Sequence, residues 1–435
     1  MKLFKIITLV AILGAIASCK KSENLNTNIP GLGGDSWTPS KLDNWIFDSL
    51  THPYNIEVKY KWDQSELDLN KTLVPPLESQ VQPVMDALRQ IWINTYIQEA
   101  GSTFFKKYSP KLIVMVGSPS FNPDGSVTLG TAEGGRRVVL FDVNDYDNTN
   151  VASVQEMVHV VEHEFGHILN QNQIYPPEFK QVSVGKYTAN WINETDDQAN
   201  SEGFISAYAK SAPDEDFVET ISLMLSNGRM WFEMMVNSQP ADAQTALRSK
   251  EQFVTNYYKS VWNIDFYALQ TDVQNALTKV TGRATLASMF GFGKRYTSAV
   301  WNPAITGSSP DFRTIFTADS SSLATSAGAT LDSLKVTFTG STSIREQMLF
   351  HVGQNNYQAS FTYSYSTDVN GVMTLTYQNA DNNGGLIKTY VQGLLDYFSQ
   401  YHFTLDWGFN RDSNASLGAF VPKENPKIYY VGILE

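Results

Sequence analysis

The chain has 435 residues, 42% of them hydrophobic, enough to bury a sizeable core and to make two domains with an extension. Its formal net charge of −12 argues against nucleic acid as a partner, because that takes a basic stripe or face. A single cysteine leaves the fold without disulfides or thiolate metal ligands.

In chain order, Lys2 and Lys5 precede an apolar run over residues 6–16, and Ile16-Ala17-Ser18-Cys19 follows. A basic start, a short apolar stretch and small residues before a cut predict a secretory signal peptide over residues 1–18. The run is too short to span a bilayer. Cys19 at the cut resembles a bacterial lipobox, which implies cleavage before Cys19 and lipidation of its thiol and amine. The membrane would then be reached through that lipid anchor only. Residues 19–37, polar and rich in Asn, Ser and Gly, predict a flexible tether.

The globular part follows from residue 38. Residues 40–50 predict a helix, 55–62 an alternating strand, 78–99 an amphipathic helix, and 112–116 a short buried strand. After a stretch punctuated by Gly and Pro (118–130), residues 136–143 predict another strand. Residues 137–141 stand either as an ordinary central strand or as a cleft edge that pairs with a substrate backbone.

Residues 158–169 contain His163-Glu164-Phe165-Gly166-His167. Residues i and i+4 share a helix face, so both imidazoles can ligate one metal ion, and Glu164 can reach the water there as general base. Ser153 with Glu156 three residues on predicts a capping box at the helix start. Val154, Val158, Val161, Phe165 and Ile168 form a stripe on roughly the opposite face, predicted to be buried. His159, one turn earlier, either extends the ligand face or supports it.

A third ligand is expected downstream. Pro213 marks a helix start, and Glu215 and Glu219 then share one face at i and i+4. Two stacked carboxylates on a face with Phe217, Ile221 and Leu225 nearby would repel each other without a cation. One would ligate zinc and the other accept the free N–H of a ligand histidine. The residue pattern alone leaves open which does which. Asp214 and Asp216 read as an exposed acidic first turn, favoured by the helix dipole.

The His163–His167 motif is followed by Ile205-Ser206-Ala207-Tyr208, then by acidic residues seven and eleven positions after the Tyr. This pattern resembles the lethal-factor-like and Pro-Pro-endopeptidase-like gluzincins. The resemblance implies that Tyr208 assists the oxyanion, Glu215 binds zinc and Glu219 supports a histidine. Residues 42–282 also resemble the zinc metallohydrolase lipoproteins of Bacteroidetes-type bacteria that occur beside TonB-dependent outer-membrane import systems. Pro53-Tyr54-Asn55-Ile56, Pro75-Pro76, the His-Glu-Phe-Gly-His motif and Asp216-Phe217-Val218-Glu219 carry that likeness.

Residues 244–262 and 265–281 predict long amphipathic helices. Beyond them, residues 333–339, 346–352, 358–365, 372–377, 403–407 and 427–431 predict strands, with one helix over 386–401. The Tyr and Trp residues there suit either sheet packing or stacking on sugars. The expected fold class is α+β. A zincin-like metallopeptidase domain (38–300), with a mixed sheet over an α-rich lower half, precedes a smaller, mostly antiparallel β-rich α+β domain (301–435).

The expected function is a zinc metallopeptidase with one Zn2+ held by His163, His167 and Glu215. It would act on a peptide or protein substrate from a lipid-anchored position on the outer membrane, alongside TonB-dependent import proteins. The other reading is a non-catalytic surface lipoprotein that captures peptide or glycan for the importer. The intact Glu164 weighs against it, because a structural metal site needs no base.

Overall fold

The computed structural model describes residues 38–133, 135–409 and 415–435. The expected signal peptide, tether and Cys19 lie outside them. The chain divides into two compact units between Trp45 and Ile46. In the first, the described residues hold the start of α1 (Lys41–Ile46). Its first turn is closed reciprocally: the Asp43 N–H donates to Ser40 Oγ (3.1 Å) and the Ser40 N–H to Asp43 Oδ2 (2.8 Å).

The second unit contains a four-stranded mixed sheet of β1 (Glu57–Lys59), β2 (Leu112–Met115), β3 (Gly130–Glu133) and β4 (Arg137–Leu140). The order is β1–β2–β4–β3, with β3 antiparallel and the rest parallel. Of the two roles open to residues 137–141, the structure assigns the central one. β4 is bonded on both sides, and Val138, Val139 and Leu140 are buried, as a central parallel strand requires. The edge belongs to β3.

Helix α2 (Glu78–Leu88) runs through a wide π-type turn (Arg89–Ile93) into α3 (Asn94–Tyr108), which Gly101 at φ +84° interrupts. Helix α4 (Val151–Asn172) carries the His163 motif. It starts at Asn150, whose side chain accepts the Ala152 N–H at 3.0 Å. The expected cap at Ser153 is therefore corrected. An Asp147 turn brings the chain into the helix one turn earlier, and Ser153 Oγ accepts the Asp147 N–H instead (3.0 Å).

Val154, Val158, Val161, Phe165 and Ile168 are each at most 1% exposed. Burying such a side chain contributes about 1.5–3 kcal/mol. The Phe165 ring meets those of Trp92 and Tyr96 edge-on, with centroids 5.4 and 5.0 Å away.

Helix α5 (Pro213–Asn227) packs on α4 and has Pro213 in its first turn. Gly166 permits the close approach, since a Cβ there would stand 3.0 Å from Val218 Cγ1. Helices α6 (Arg229–Asn237), α7 (Ala241–Trp262) and α8 (Phe266–Thr281) complete the α-rich half. Among the described residues no helix is long and apolar enough to cross a membrane.

The rest of the chain is β5 (Ser298–Trp301), α9 (Pro310–Ala327), β6 (Thr330–Gly340), β7 (Ser343–Val352), β8 (Asn355–Thr367), β9 (Met373–Ala380), α10 (Asn382–Ile387), α11 (Gln392–Gln400), β10 (His402–Trp407), β11 (Leu417–Pro422) and β12 (Tyr430–Leu434). The strands close an antiparallel barrel in the order β8–β9–β10–β11–β12–β5–β6–β7. Closure removes the sheet's free edges. The helix expected over 386–401 is two shorter ones, and α9, β5 and β11 are additions.

Phe312 of α9 and Phe398 of α11 both pack on Tyr430, at 5.6 and 5.7 Å. Trp301, Tyr363, Tyr397 and Tyr430 are buried, so these aromatics serve packing. The barrel also joins the helical half. Met230 and Met234 of α6 belong to its core, and Asn237 Nδ2 donates to the Tyr429 hydroxyl at 2.9 Å.

Inside the barrel the buried carboxyl of Glu346 accepts the Tyr363 hydroxyl (2.7 Å) on one oxygen and has no partner on the other. Burial pushes its pKa up to about 8, Tyr363 works against that rise, and the Asp319 carboxylate adds to it. The folded state thus favours the proton, and stability is lost as pH climbs from the unfolded carboxyl value through about 8. Glu346→Gln is expected to raise the Tm above pH 8 by an amount on the order of a few kcal/mol in stability. The gain should shrink steadily towards pH 4.5, and paired melting curves across that range check it.

Candidate active site

The donors that the motif spacing singled out come together where α4 faces the first turns of α5. His163 and His167 lie one helical turn apart and point their Nε2 atoms at each other across 3.2 Å. Glu215 Oε2 closes a triangle, 3.1 Å from His163 Nε2 and 3.2 Å from His167 Nε2. Two nitrogens and an oxygen held at about 2.0–2.1 Å in a tetrahedral zinc shell stand about 3.3–3.4 Å apart. The three atoms therefore fit that ion with almost no adjustment.

Glu219, one turn along α5, takes the other side of His163. Its Oε1 accepts from His163 Nδ1 (2.8 Å) and from His159 Nε2 (2.7 Å), and its Oε2 accepts the Ser206 hydroxyl (2.6 Å). A neutral imidazole carries one N–H, so a proton on Nδ1 leaves Nε2 with its lone pair aimed into the triangle. This geometry distinguishes the two carboxylates: Glu215 shares the point where both histidines converge, and Glu219 orients one of them. His159 also belongs to this support.

The electrostatics call for a cation. Burial opposes charge on His163, yet Glu215 and Glu219 raise its pKa to about 10. Burial equally opposes charge on Glu215 and Glu219. The neighbouring imidazoles nevertheless hold both carboxyls well below the usual carboxylate range, His163 and His167 for Glu215, His159 and His163 for Glu219. Without an ion a proton must fill this role; a divalent cation meets the same demand more completely.

Glu164 is buried beside the triangle. Burial raises its pKa, while His163, His167 and the nearby backbone of Ala132 on β3 favour its charged form. β3 comes this near because residue 130 is Gly. A Cβ there would stand 2.4 Å from Val160 Cγ1 and 3.3 Å from Glu164 Oε1. Tyr208, 38% exposed, stands on the rim with its ring 5.8 Å from that of His163 and 5.0 Å from Trp191. Its hydroxyl lies near Glu215, and burial together with the nearby carboxylates raises its pKa.

Two supports escaped the sequence reading. Ser206 fixes Glu219, a role that its place in the Ile-Ser-Ala-Tyr segment could have suggested. Lys250 of α7 lies 2.7 Å from Asp216 Oδ2, with both side chains fully buried, and it also donates to Gly203 O at 2.8 Å. Asp216 additionally accepts the Tyr187 hydroxyl (2.9 Å). The expectation of an exposed Asp216 is thus corrected: a cation from a helix more than thirty residues away neutralises it inside the protein.

Two imidazoles and a carboxylate sharing one point, with a carboxyl poised beside them, make a donor set suited to zinc and define a zinc metallohydrolase. Residues 35–267 match the family described as "Putative zinc-binding metallo-peptidase", and the chain belongs to that family. A solved protein from Bacteroides caccae ATCC 43185, described as a "putative zinc-binding metallo-peptidase", is similar. It is 28% identical, with 57% of this chain and 98% of that chain covered and a TM-score of 0.48. Comparison with curated proteins gives no match. The barrel, from Ser298 onward, lies beyond the family match.

Proposed function

We propose that the chain is a gluzincin-type peptidase that cleaves peptide bonds in a peptide or protein substrate with one zinc ion. The observation that carries this reading is the triangle of His163, His167 and Glu215 with Glu164 alongside. Zinc held by these three would supply Lewis-acid activation of water and of the scissile carbonyl. Glu164 takes the proton from the attacking water and returns it to the leaving amine. Glu219 keeps the Nδ1 proton on His163 through catalysis. The Tyr208 hydroxyl turns from Glu215 to donate to the developing oxyanion. An extended substrate would lie along the edge of β3, beside Glu164.

Tyr208→Phe is expected to lower kcat by about 10- to 100-fold with little change in KM, because the donated bond forms only in the transition state. Steady-state kinetics on one cleaved peptide checks it. The reading as a whole is tested by metal analysis with a peptide-library digest. One zinc per chain with cleavage supports it. A metal-free protein that captures peptide or glycan intact would replace it with the binding-protein reading.

The setting belongs to the same proposal. Cys19 carries the lipid, and the protein is anchored to the bacterial outer membrane, where it works beside TonB-dependent import proteins. Palmitate labelling of the full chain should be lost in Cys19→Ala.

A further inference from the structure

A cavity of about 420 Å³ is walled by the first half of α4 and by the segment after β4, and its lining ends at Val160, one helical turn before Glu164. Val160 joins it to the site. It lines the cavity one turn before Glu164, and both touch the space over Gly130 where a Cβ would stand. A substrate laid along β3 with its scissile bond at Glu164 would place a neighbouring side chain towards this cavity.

Its walls have two chemistries. Phe141, Met157 and Val160 make an apolar throat, and Asp142, Asp145 and Glu156 supply three carboxylates. Among the described residues no Lys or Arg lines it. Asp142 Oδ1 is buried and has no hydrogen-bond partner, and burial together with Asp145 and Glu156 raises the Asp142 pKa. Asp145 and Glu156 are exposed and Asp142 is partly buried; like charges gathered there repel one another, and an incoming cation relieves that repulsion.

We infer that this cavity selects a lysine or arginine side chain next to the scissile bond. The methylenes would lie against Phe141, Met157 and Val160, and the charged end would reach the carboxylates. The inference rests on the peptidase reading and deepens it by naming a substrate class.

The test uses zinc-loaded full-length protein and hexapeptides Ala-Ala-Ala-Xaa-Ala-Ala, with Xaa as Lys, Arg, Leu or Glu and cuts located by mass spectrometry. Cleavage next to Xaa is expected with kcat/KM about tenfold higher for Lys and Arg than for Leu, and lowest for Glu. Glu156→Gln and Asp145→Asn should each reduce the Lys-to-Leu ratio about threefold. A ratio near one in the wild type, or one that neither variant moves, overturns the inference.

Binding of fluorescein-labelled versions of the same peptides to Glu164→Gln separates the two readings. If no peptide is cut but the Lys peptide binds more tightly and Glu156→Gln abolishes the difference, the cavity assignment stands and the peptidase reading fails. Equal binding of all four peptides without cleavage removes both.

Discussion

Glu164→Gln is expected to keep zinc and lose about 10²- to 10⁴-fold in kcat. The amide has the shape of the carboxylate, so the packing against Gly130 is undisturbed. None of the three proposed metal donors changes. Only the capacity to accept a proton from water disappears, so KM should move little while turnover collapses. Zinc content by mass spectrometry and single-peptide kinetics together check this. A variant that retains turnover within tenfold of wild type would remove Glu164 as the base.

Lys250→Met should cost about 3–5 kcal/mol in stability, the range for stripping one partner from a buried ion pair. Both side chains have no exposure, and the replacement leaves Asp216 with only the Tyr187 hydroxyl. Burial already lifts the Asp216 pKa to about 6 against the pull of Lys250. Adding Asp216→Asn to Lys250→Met should therefore recover part of the loss. Urea denaturation of the two single variants and the double variant provides the cycle. A Lys250→Met protein within 1 kcal/mol of wild type would show that the pair carries no such weight.

How far the sequence can be read follows from which facts are local. The pairing of His163 with His167 and the stripe from Val154 to Ile168 depend only on helical periodicity, and both are legible from spacing. The choice between Glu215 and Glu219 is a different matter. Both sit on one helix face, and what separates them is which nitrogen of His163 each meets, a relation between two helices. The burial of Asp216 is hidden from the sequence for the same reason, because its partner arrives from α7. In the barrel, β11 is buried at every position and shows no alternation, β5 is only four residues long, and the stripe of α9 is diluted by Ser, Thr and Ala. Periodicity has little to register in such segments, and closure depends on them.

Helix α6 has a practical consequence. It turns off from the end of α5 at Gly228 (φ +84°), and its Met230 and Met234 sit in the barrel's core. Cutting the chain before Ser298 would strip those thioethers of their cover a few residues from the helix that carries Glu215 and Glu219. A trimmed protein that failed to turn over would then report a sticky wound on its surface rather than a defect in its chemistry.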